Sequence, residues 1–195
     1  MPFSVGTDWD HVAVLLRNPG YDNSTPRNMT RVRIRLANAK DCAALAEMRY
    51  RFRAELGRTN ESKPVFTRRC SSWMKKRLHQ KSSSWRCWIA ENGKHIIGHA
   101  CVQLLEKMPN PVNEPEFHAY VTNCYVLPDI RSRGIGKKLL DKALSWCHTK
   151  KVDAVILWAS PDSRSFYRRS GFNISADLFE LRRRGGRPPR RRRLK

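Results

Sequence analysis

The spacing of apolar residues over positions 31–181 predicts an alternation of strands and helices. Apolar and basic residues alternate from Val32 to Leu36, which is typical of a strand with one buried face. Apolar residues then recur at helical spacing from Cys42 to Leu56, behind an Asn38 that favours a helix start, so we expect a first helix over 39–56.

The spacing of apolar residues and the positions of turn residues predict the remaining elements. They are a basic helix over 66–78, a hairpin of strands at 85–90 and 95–105 around Asn92-Gly93, a long strand over 117–126, a helix over 135–147, an apolar strand over 152–158, a short helix over 163–169 and a last strand over 173–181. The continuous apolar run at 152–158 favours a central strand covered on both faces. The order βααβββαβαβ predicts one α/β domain over 31–181, between a flexible extension at 1–30 and a disordered basic tail at 182–195.

The charge of the chain is strongly positive, with 39 Lys and Arg against 17 Asp and Glu and a net charge of +22. Nine of the basic residues lie in 182–195, which holds no acidic residue, and the remainder of the chain is still basic. This excess favours an anionic ligand for the domain and contact with nucleic acid or an anionic surface for the tail. A charge that serves only solubility is the plainer alternative.

Composition excludes several classes of protein. No apolar run approaches the ~18 residues that a membrane span requires, and the N-terminal sequence lacks the basic region of a secretory signal. The six Cys are scattered, with no Cys-x-x-Cys pair and no metal-ligand spacing. We therefore expect a cytoplasmic protein with reduced thiols, no metal and no membrane partner.

The stretch from Val126 to Leu140 carries the clearest chemical signal. A strand that stops at Pro128 is followed by a turn with two glycines and at once by an amphipathic helix. Such a turn exposes main-chain N–H groups beside the positive end of a helix dipole, and this arrangement holds a phosphate or pyrophosphate.

Three phosphate-binding motifs compete for this turn. A Walker A loop is excluded because Arg131 and Lys138 stand where it requires Gly and Ser or Thr. A dinucleotide fingerprint is excluded because Leu139 replaces its third glycine. The pattern Arg/Gln-x-x-Gly-x-Gly/Ala is matched by Arg131, Gly134 and Gly136, with a glycine-bearing helix start that binds nothing as the alternative.

This third pattern resembles the acetyl-CoA pyrophosphate loop of the GNAT acetyltransferases, and its surroundings resemble that superfamily too. The strand ends at 124–128 as Cys-Tyr-Val-Leu-Pro, and the short helix at 166–172 closes with Phe-Tyr and Gly-Phe, both as in the family. The resemblance covers about 31–181 and implies the GNAT fold, a central mixed, largely antiparallel sheet flanked by about four helices. Many members have Gly where Ser132 stands, but the amide donor is the same.

The resemblance implies an N-acetyltransferase in which a primary amine attacks the thioester of acetyl-CoA directly. In the family, the long strand and the apolar strand separate at a bulge, and the pantetheine arm lies in the gap. Tyr167 is implied as the catalytic residue that gives a proton to the leaving thiolate, and an amide near Val126 as the oxyanion donor. The implied cofactor-binding residues are Tyr125, Val126 and Leu127 through their backbone, Arg131, Ser132, Arg133, Gly134, Ile135, Gly136 and Lys137 around the pyrophosphate, and Ser160 and Ser163 through their hydroxyls.

The acceptor amine has only weak candidates. Glu114 and Glu116 precede the long strand and are candidates to reach the cleft through water, and Asn123 is a candidate to orient the substrate. A solvated loop and an ordinary strand hydrogen bond are the plainer alternatives for them. Aminoglycosides, polyamines, peptide N-termini, lysines and small amines all stay open as acceptors, as does a homodimer.

Two rival functions stay open at this point. One is a GNAT-fold module that holds CoA without catalysis. The other is a nucleic-acid-binding protein that acts through the arginines at 190–193, which would bind phosphates without sequence preference. No aromatic residue interleaves with those arginines, so base stacking has no platform there, and an accessory tail is favoured over a binding protein.

Overall fold

The computed structural model of the chain describes residues 31–78, 82–175 and 177–181. The chain divides into two compact units, one that ends at Ile156 and one that begins at Leu157. The predicted flexible extension over 1–30 and the predicted disordered tail over 182–195 lie outside the described residues.

The first unit contains a five-stranded mixed sheet with the strand order β1-β2-β3-β4-β5. Strands β1 to β4 pair antiparallel with their neighbours, and β5 pairs parallel to β4. The strands are β1 (Val32–Leu36), β2 (Trp85–Asn92), β3 (His95–Glu106), β4 (Phe117–Val126) and β5 (Ala154–Ile156), and the helices of this unit are α1 (Cys42–Glu55), α2 (Lys63–Leu78) and α3 (Ile135–Thr149). With α4 (Arg164–Arg169) in the second unit, the predicted α/β class and the family fold are confirmed.

The two faces of the sheet are covered by different helices. Cys87 and Ile89 of β2 belong to one buried cluster with Leu45 of α1 and Met74 of α2. Trp88, which lies between them on the strand, instead packs against Trp146 of α3 at 5.7 Å between ring centroids. Because successive side chains of a strand point to opposite faces, α1 and α2 cover one face and α3 covers the other.

The end of the predicted domain departs from the sequence pattern. The apolar run at 152–158 forms only the short β5, whose residues are half-buried and which is the last strand of the sheet in the part of the chain described, so the prediction of a covered central strand is wrong. No strand forms within 173–175 or 177–181, where Ile174 is 75% and Phe179 93% exposed. The spacing of apolar residues shows which segments could form a strand, but it does not show whether an adjacent strand is present to pair with them.

Two cysteines are paired, contrary to the prediction of reduced thiols. Cys87 of β2 and Cys101 of β3 face each other in the antiparallel ladder with their Cα atoms 4.0 Å apart, and they form a disulfide. Thiols remain at Cys42, Cys70 and Cys147. The pairing depends on the register of the hairpin, which cysteine spacing alone does not give.

Candidate functional site

A β-bulge interrupts β4 near its end. His99 of β3 pairs with Tyr125 on one side of the bulge. Cys101 pairs with Thr122 on the other side, which leaves β4 with one residue more than β3 in between. Asn123 within this stretch has a φ of 56°, in the left-handed region. A bulge of this kind bends the strand and turns its later residues away from the neighbouring strand.

The edge of β4 that faces β5 becomes open just before the bulge. The parallel pairing runs from His118 opposite Ala154 to Tyr120 opposite Ile156 and ends there. Among the described residues no strand pairs with the remainder of this edge, over 121–126. An open strand edge offers N–H and C=O groups to any extended chain that lies beside it, as an added strand would.

Of the three residues predicted to bind through their backbone, Val126 alone faces this open edge. The Leu127 N–H donates to the Ile97 carbonyl oxygen at 3.0 Å, so Leu127 faces β3. Backbone groups alternate in direction along a strand, and Tyr125 therefore also faces β3. The Val126 carbonyl accepts from Arg131 Nε at 3.0 Å on this edge, and the Val126 N–H points to the same edge.

The turn between β4 and α3 presents a run of main-chain N–H groups. The Lys138 N–H makes the first helical bond, to the Gly134 carbonyl at 3.1 Å. In the described part of the chain, no backbone carbonyl accepts from the N–H groups of residues 132–137. We call these N–H groups the amide cradle. They lie at the N-terminus of α3, where the helix dipole adds positive potential, and they suit a diphosphate.

Two residues of the cradle have left-handed backbones. Gly134 precedes α3 with a φ of 75°, a conformation that glycine adopts without penalty. Ser132 has a φ of 61°, which costs a residue with a Cβ about 1 kcal/mol. Backbone strain of this kind persists at ligand-binding turns when the surrounding structure fixes it.

The side chain of Arg131 contacts α1 and the end of β4. Its Nη2 lies 2.6 Å from Glu55 Oε2, and its guanidinium lies 5.5 Å from the centre of the Tyr125 ring. The Tyr125 hydroxyl donates to the same Glu55 carboxylate, and burial, followed by that carboxylate, raises the pKa of Tyr125. The Arg131 N–H donates to the Pro128 carbonyl at 3.2 Å. The Arg131 side chain therefore ties the end of α1 to the end of β4, and its role at the pyrophosphate stays a prediction.

The other predicted residues of the turn contribute mainly their main chain. Ile135 is 3% exposed and its side chain belongs to the core. The Lys137 ammonium pairs with Asp141 at 2.8 Å, one helical turn further on. Arg133 is exposed next to Gly134 and Gly136. The cradle is therefore a property of backbone conformation, with Arg133 as a nearby cation.

The second unit holds three further predicted site residues. The Ser160 hydroxyl donates to Ser163 Oγ at 2.9 Å, and the Ser163 hydroxyl in turn donates to the Ser160 carbonyl at 3.0 Å. Tyr167 is half-buried on α4 and packs edge-on against Phe166 and Phe172, with ring centroids 5.0 and 5.7 Å away. The roles assigned to Tyr167 and the two serines stay predictions.

Asn123, the predicted substrate-orienting residue, is held by a side chain that sequence analysis missed. Nη1 of Arg49, on α1, donates to Asn123 Oδ1 at 2.8 Å. His99 lies nearby, fully buried, and neither of its ring nitrogens has a hydrogen-bond partner. Burial lowers the pKa of His99 to about 4, so the imidazole is neutral at pH 7. Arg49 and His99 are single polar residues within a helix and a strand and belong to no recognisable motif, so nothing in the sequence indicates them.

The structure does not bring Glu114 and Glu116 to the bulge. Glu114 Oε1 accepts from Lys107 Nζ at 3.0 Å and from Asn110 Nδ2 at 2.6 Å, and these contacts lower the pKa of Glu114. Glu116 precedes the first residue of β4, and a strand rises ~3.3 Å per residue, so it lies about 30 Å from Val126 along the strand. Neither carboxylate is adjacent to the Val126 N–H.

Two features that the sequence does not predict are also not found in the described residues. They contain no group of three or more His, Cys, Asp and Glu side chains arranged to hold a metal ion. No helix among them has the length and hydropathy needed to cross a bilayer.

Comparison with known proteins gives a consistent result. A family model described as the acetyltransferase (GNAT) family matches residues 49–172. A probable N-acetyltransferase of Mycobacterium tuberculosis is 28% identical over 102 residues, which cover 51% of this chain and 53% of that protein. The chain thus matches about half the length of that curated relative.

Solved structures share the fold over most of the chain. A predicted acetyltransferase of Clostridium acetobutylicum, crystallised with acetyl-CoA, is 25% identical with a TM-score of 0.67, over 78% of this chain and 96% of that one. An aminoglycoside N-acetyltransferase in complex with CoA is 17% identical with a TM-score of 0.61, over 82% of this chain and 99% of that one. At that identity the second likeness concerns the fold alone.

Proposed function

Because the chain belongs to the GNAT family of acetyltransferases, we propose that it transfers the acetyl group of acetyl-CoA to a primary amine. The observation that carries the proposal is the amide cradle of residues 132–137, which suits the pyrophosphate of CoA. The neighbour crystallised with acetyl-CoA supports the same donor.

The open edge of β4 supports a site for the pantetheine arm and the thioester. An extended arm beside residues 121–126 would meet backbone groups that no strand in the described residues uses. The Val126 N–H faces that edge and is our candidate to donate a hydrogen bond to the thioester carbonyl as negative charge develops on it. We prefer Val126 to Tyr125 and Leu127 for this role, because the Leu127 N–H donates to the Ile97 carbonyl and Tyr125 pairs with His99 of β3.

Tyr167 is our candidate to protonate the leaving group. The amine nitrogen bonds to the acetyl carbon, the carbon–sulfur bond breaks with its electron pair on sulfur, and the thiolate takes a proton from the Tyr167 hydroxyl. The nitrogen loses one proton to solvent as the amide forms, and the Tyr167 phenolate takes a proton back from solvent. A thiol has a pKa of about 8.5 and a tyrosine about 10, so donation is effective only if the two groups are held close together. This assignment rests on the position of Tyr167 in the Phe-Tyr and Gly-Phe sequence of the family.

The test is acetyl-CoA turnover, followed by thiol release, across a panel of primary amines. We expect amine-dependent release in the parent protein and about a hundredfold lower kcat in Tyr167→Phe, with unchanged affinity for CoA. Tyr50→Phe is the matched control, since it removes a phenol from α1 that has no assigned role. If the protein binds CoA but none of the amines in the panel causes thiol release, the result would favour the non-catalytic module.

The remaining functional predictions extend the same proposal. Nucleic-acid binding through the tail at 182–195 would be electrostatic and should disappear as salt is raised, whereas acetyl-CoA binding to the amide cradle should persist. A homodimer also stays a prediction, which sedimentation velocity would check. A cytoplasmic location stays a prediction too, which cell fractionation would check.

A further inference from the structure

Two arginines on α1, one of which contacts Asn123 of the β4 bulge, have no carboxylate partner among the described residues. Arg49 and Arg53 are four residues apart, so they lie on the same face of the helix, and both are half-buried. No Asp or Glu of the described residues forms an ion pair with either one. Within the described part of the chain, the Arg49 side chain donates to the neutral amide of Asn123.

Three other arginines of the first unit do pair with carboxylates. Arg51 lies between the two on α1 and pairs with Glu47 at 2.9 Å. Arg131 pairs with Glu55 at 2.6 Å, and Arg35 with Asp41 at 2.7 Å. Half-buried cations are normally paired, because removal from water penalises an isolated charge.

Burial and mutual repulsion both oppose the charge of these two arginines. Burial, then nearby Arg53, lowers the pKa of Arg49, and burial, then Arg58, lowers that of Arg53. Both guanidiniums nevertheless stay protonated at pH 7. The fully buried His99 beside Asn123 is neutral and offers no compensating charge. An anion that reached this face would relieve the repulsion and make charge-assisted hydrogen bonds.

The arginine face also lies near the end of β4 that binds the acyl group in our proposal. Asn123, which Arg49 contacts, comes three residues before Val126 on the same strand. At ~3.3 Å per residue this is a separation of about 10 Å along the strand. An amine that attacks beside the Val126 N–H could therefore place a second functional group against Arg49.

We propose that Arg49 and Arg53 bind a carboxylate of the acceptor, so that the substrates are amines that also carry a carboxylate, such as amino acids or acidic peptides. This inference rests on the proposed function, because it concerns the acceptor of the same acetyl transfer. It also separates the chain from acetyltransferases that act on polycationic amines. A polycation would place further positive charge against two unneutralised guanidiniums, and like charges in contact disfavour binding strongly.

The first experiment compares amines that differ only in the distal group. Initial rates of thiol release are measured for β-alanine, 4-aminobutyrate and 6-aminohexanoate, each against its carboxamide, with spermidine as the polycation. These chain lengths keep the amine far enough from the carboxyl group to limit differences in amine basicity. We expect kcat/KM to be tenfold to a hundredfold higher for at least one carboxylate than for its carboxamide, and lowest for spermidine.

The second experiment removes the charges singly. Arg53→Gln should raise KM for the preferred carboxylate about tenfold while KM for acetyl-CoA and kcat for its carboxamide stay unchanged. Arg49→Lys keeps the charge beside Asn123 and should retain most of the preference, whereas Arg49→Gln should abolish it. Arg51→Gln is the control, since it removes an equal charge from the same helix at a residue that pairs with Glu47.

The outcomes separate this inference from the proposed function. Absence of CoA binding and of thiol release with every amine would overturn the proposed function, and the inference with it. Turnover that is equal for carboxylates and carboxamides, or highest with spermidine, would overturn the inference alone. A preference for carboxylates that Arg53→Gln and Arg49→Gln leave intact would also overturn it, since another group would then bind the carboxylate.

Discussion

Two positively polarised regions flank the end of β4, and they are built from different parts of the chain. The amide cradle after β4 uses main-chain N–H groups of residues 132–137. The arginine face of α1 uses the guanidiniums of Arg49 and Arg53, beside Asn123 of the bulge. One region depends on backbone conformation and the other on which side chains are present.

This difference indicates how each region responds to substitution. A main-chain cradle survives changes of side chain as long as the turn keeps its shape, as the serine at position 132 illustrates. A side-chain site is lost when one residue changes, because the partner groups are then left unpaired. Under our two proposals, the cradle would bind the donor and the arginine face would select the acceptor.

The largest effect should come from a negative charge placed in the amide cradle. Gly136→Asp puts a carboxylate in the first turn of α3, where it would repel a diphosphate, and we expect about a thousandfold weaker binding of CoA by calorimetry. An acidic residue near a helix N-terminus favours the helix, so the fold should be retained.

Lys142→Asp is the control for that experiment. It adds the same negative charge to an exposed position of α3 that is further from the turn, and it should change CoA affinity only slightly. If Gly136→Asp bound CoA as well as the parent, the pyrophosphate would not lie in the cradle, and the proposed function would lose its main support.

A second prediction uses pH to probe the bulge. Burial lowers the pKa of His99 to about 4 in the folded state, against about 6.5 in the unfolded chain. The unfolded state therefore binds more protons between these values, and the free energy of unfolding should fall as pH is lowered from about 6.5 to about 4. The expected loss is about 3 kcal/mol, since each unit corresponds to about 1.4 kcal/mol.

The variant that isolates this effect is His99→Leu. An apolar residue of similar size leaves no titrating group at a site where neither ring nitrogen has a partner, so urea unfolding should show a flatter dependence over the same pH window. Identical pH profiles for the parent and His99→Leu would show that another group accounts for the acid sensitivity, and that His99 is not held neutral by burial.

Sequence alone could predict the elements whose signal is local. The helix α3 shows a continuous apolar face, and the hairpin between β2 and β3 has Asn92-Gly93 at its turn, with Gly93 at a φ of 60°. The turn between β4 and α3 is predictable for the same reason, because the glycines and the helix start that form it are adjacent in the chain.

What sequence could not predict depends on contacts between distant residues. The phosphate motif suggested that Arg131 lines the turn, but its side chain reaches Glu55, 76 positions away. Arg49 and Asn123 are 74 positions apart, and nothing in either segment indicates that they meet. Such contacts follow from how α1 packs on the sheet, which no short motif encodes.

The smallest effect concerns strain within the amide cradle. Ser132 has a φ of 61°, a region that glycine adopts without penalty, so Ser132→Gly should raise the free energy of unfolding by up to about 1 kcal/mol. Its N–H is retained, and CoA affinity should not change.

Arg133→Gly is the control, because Arg133 is not among the described residues with a positive φ. Glycine at this position should lower the free energy of unfolding by about 0.5–1 kcal/mol through the entropy of the unfolded chain. Denaturant unfolding measures the expected rise in the free energy of unfolding of Ser132→Gly and the expected fall for Arg133→Gly. Weaker CoA binding in Ser132→Gly would instead show that the hydroxyl contacts the ligand, and the cradle would then depend on side chains as the arginine face does.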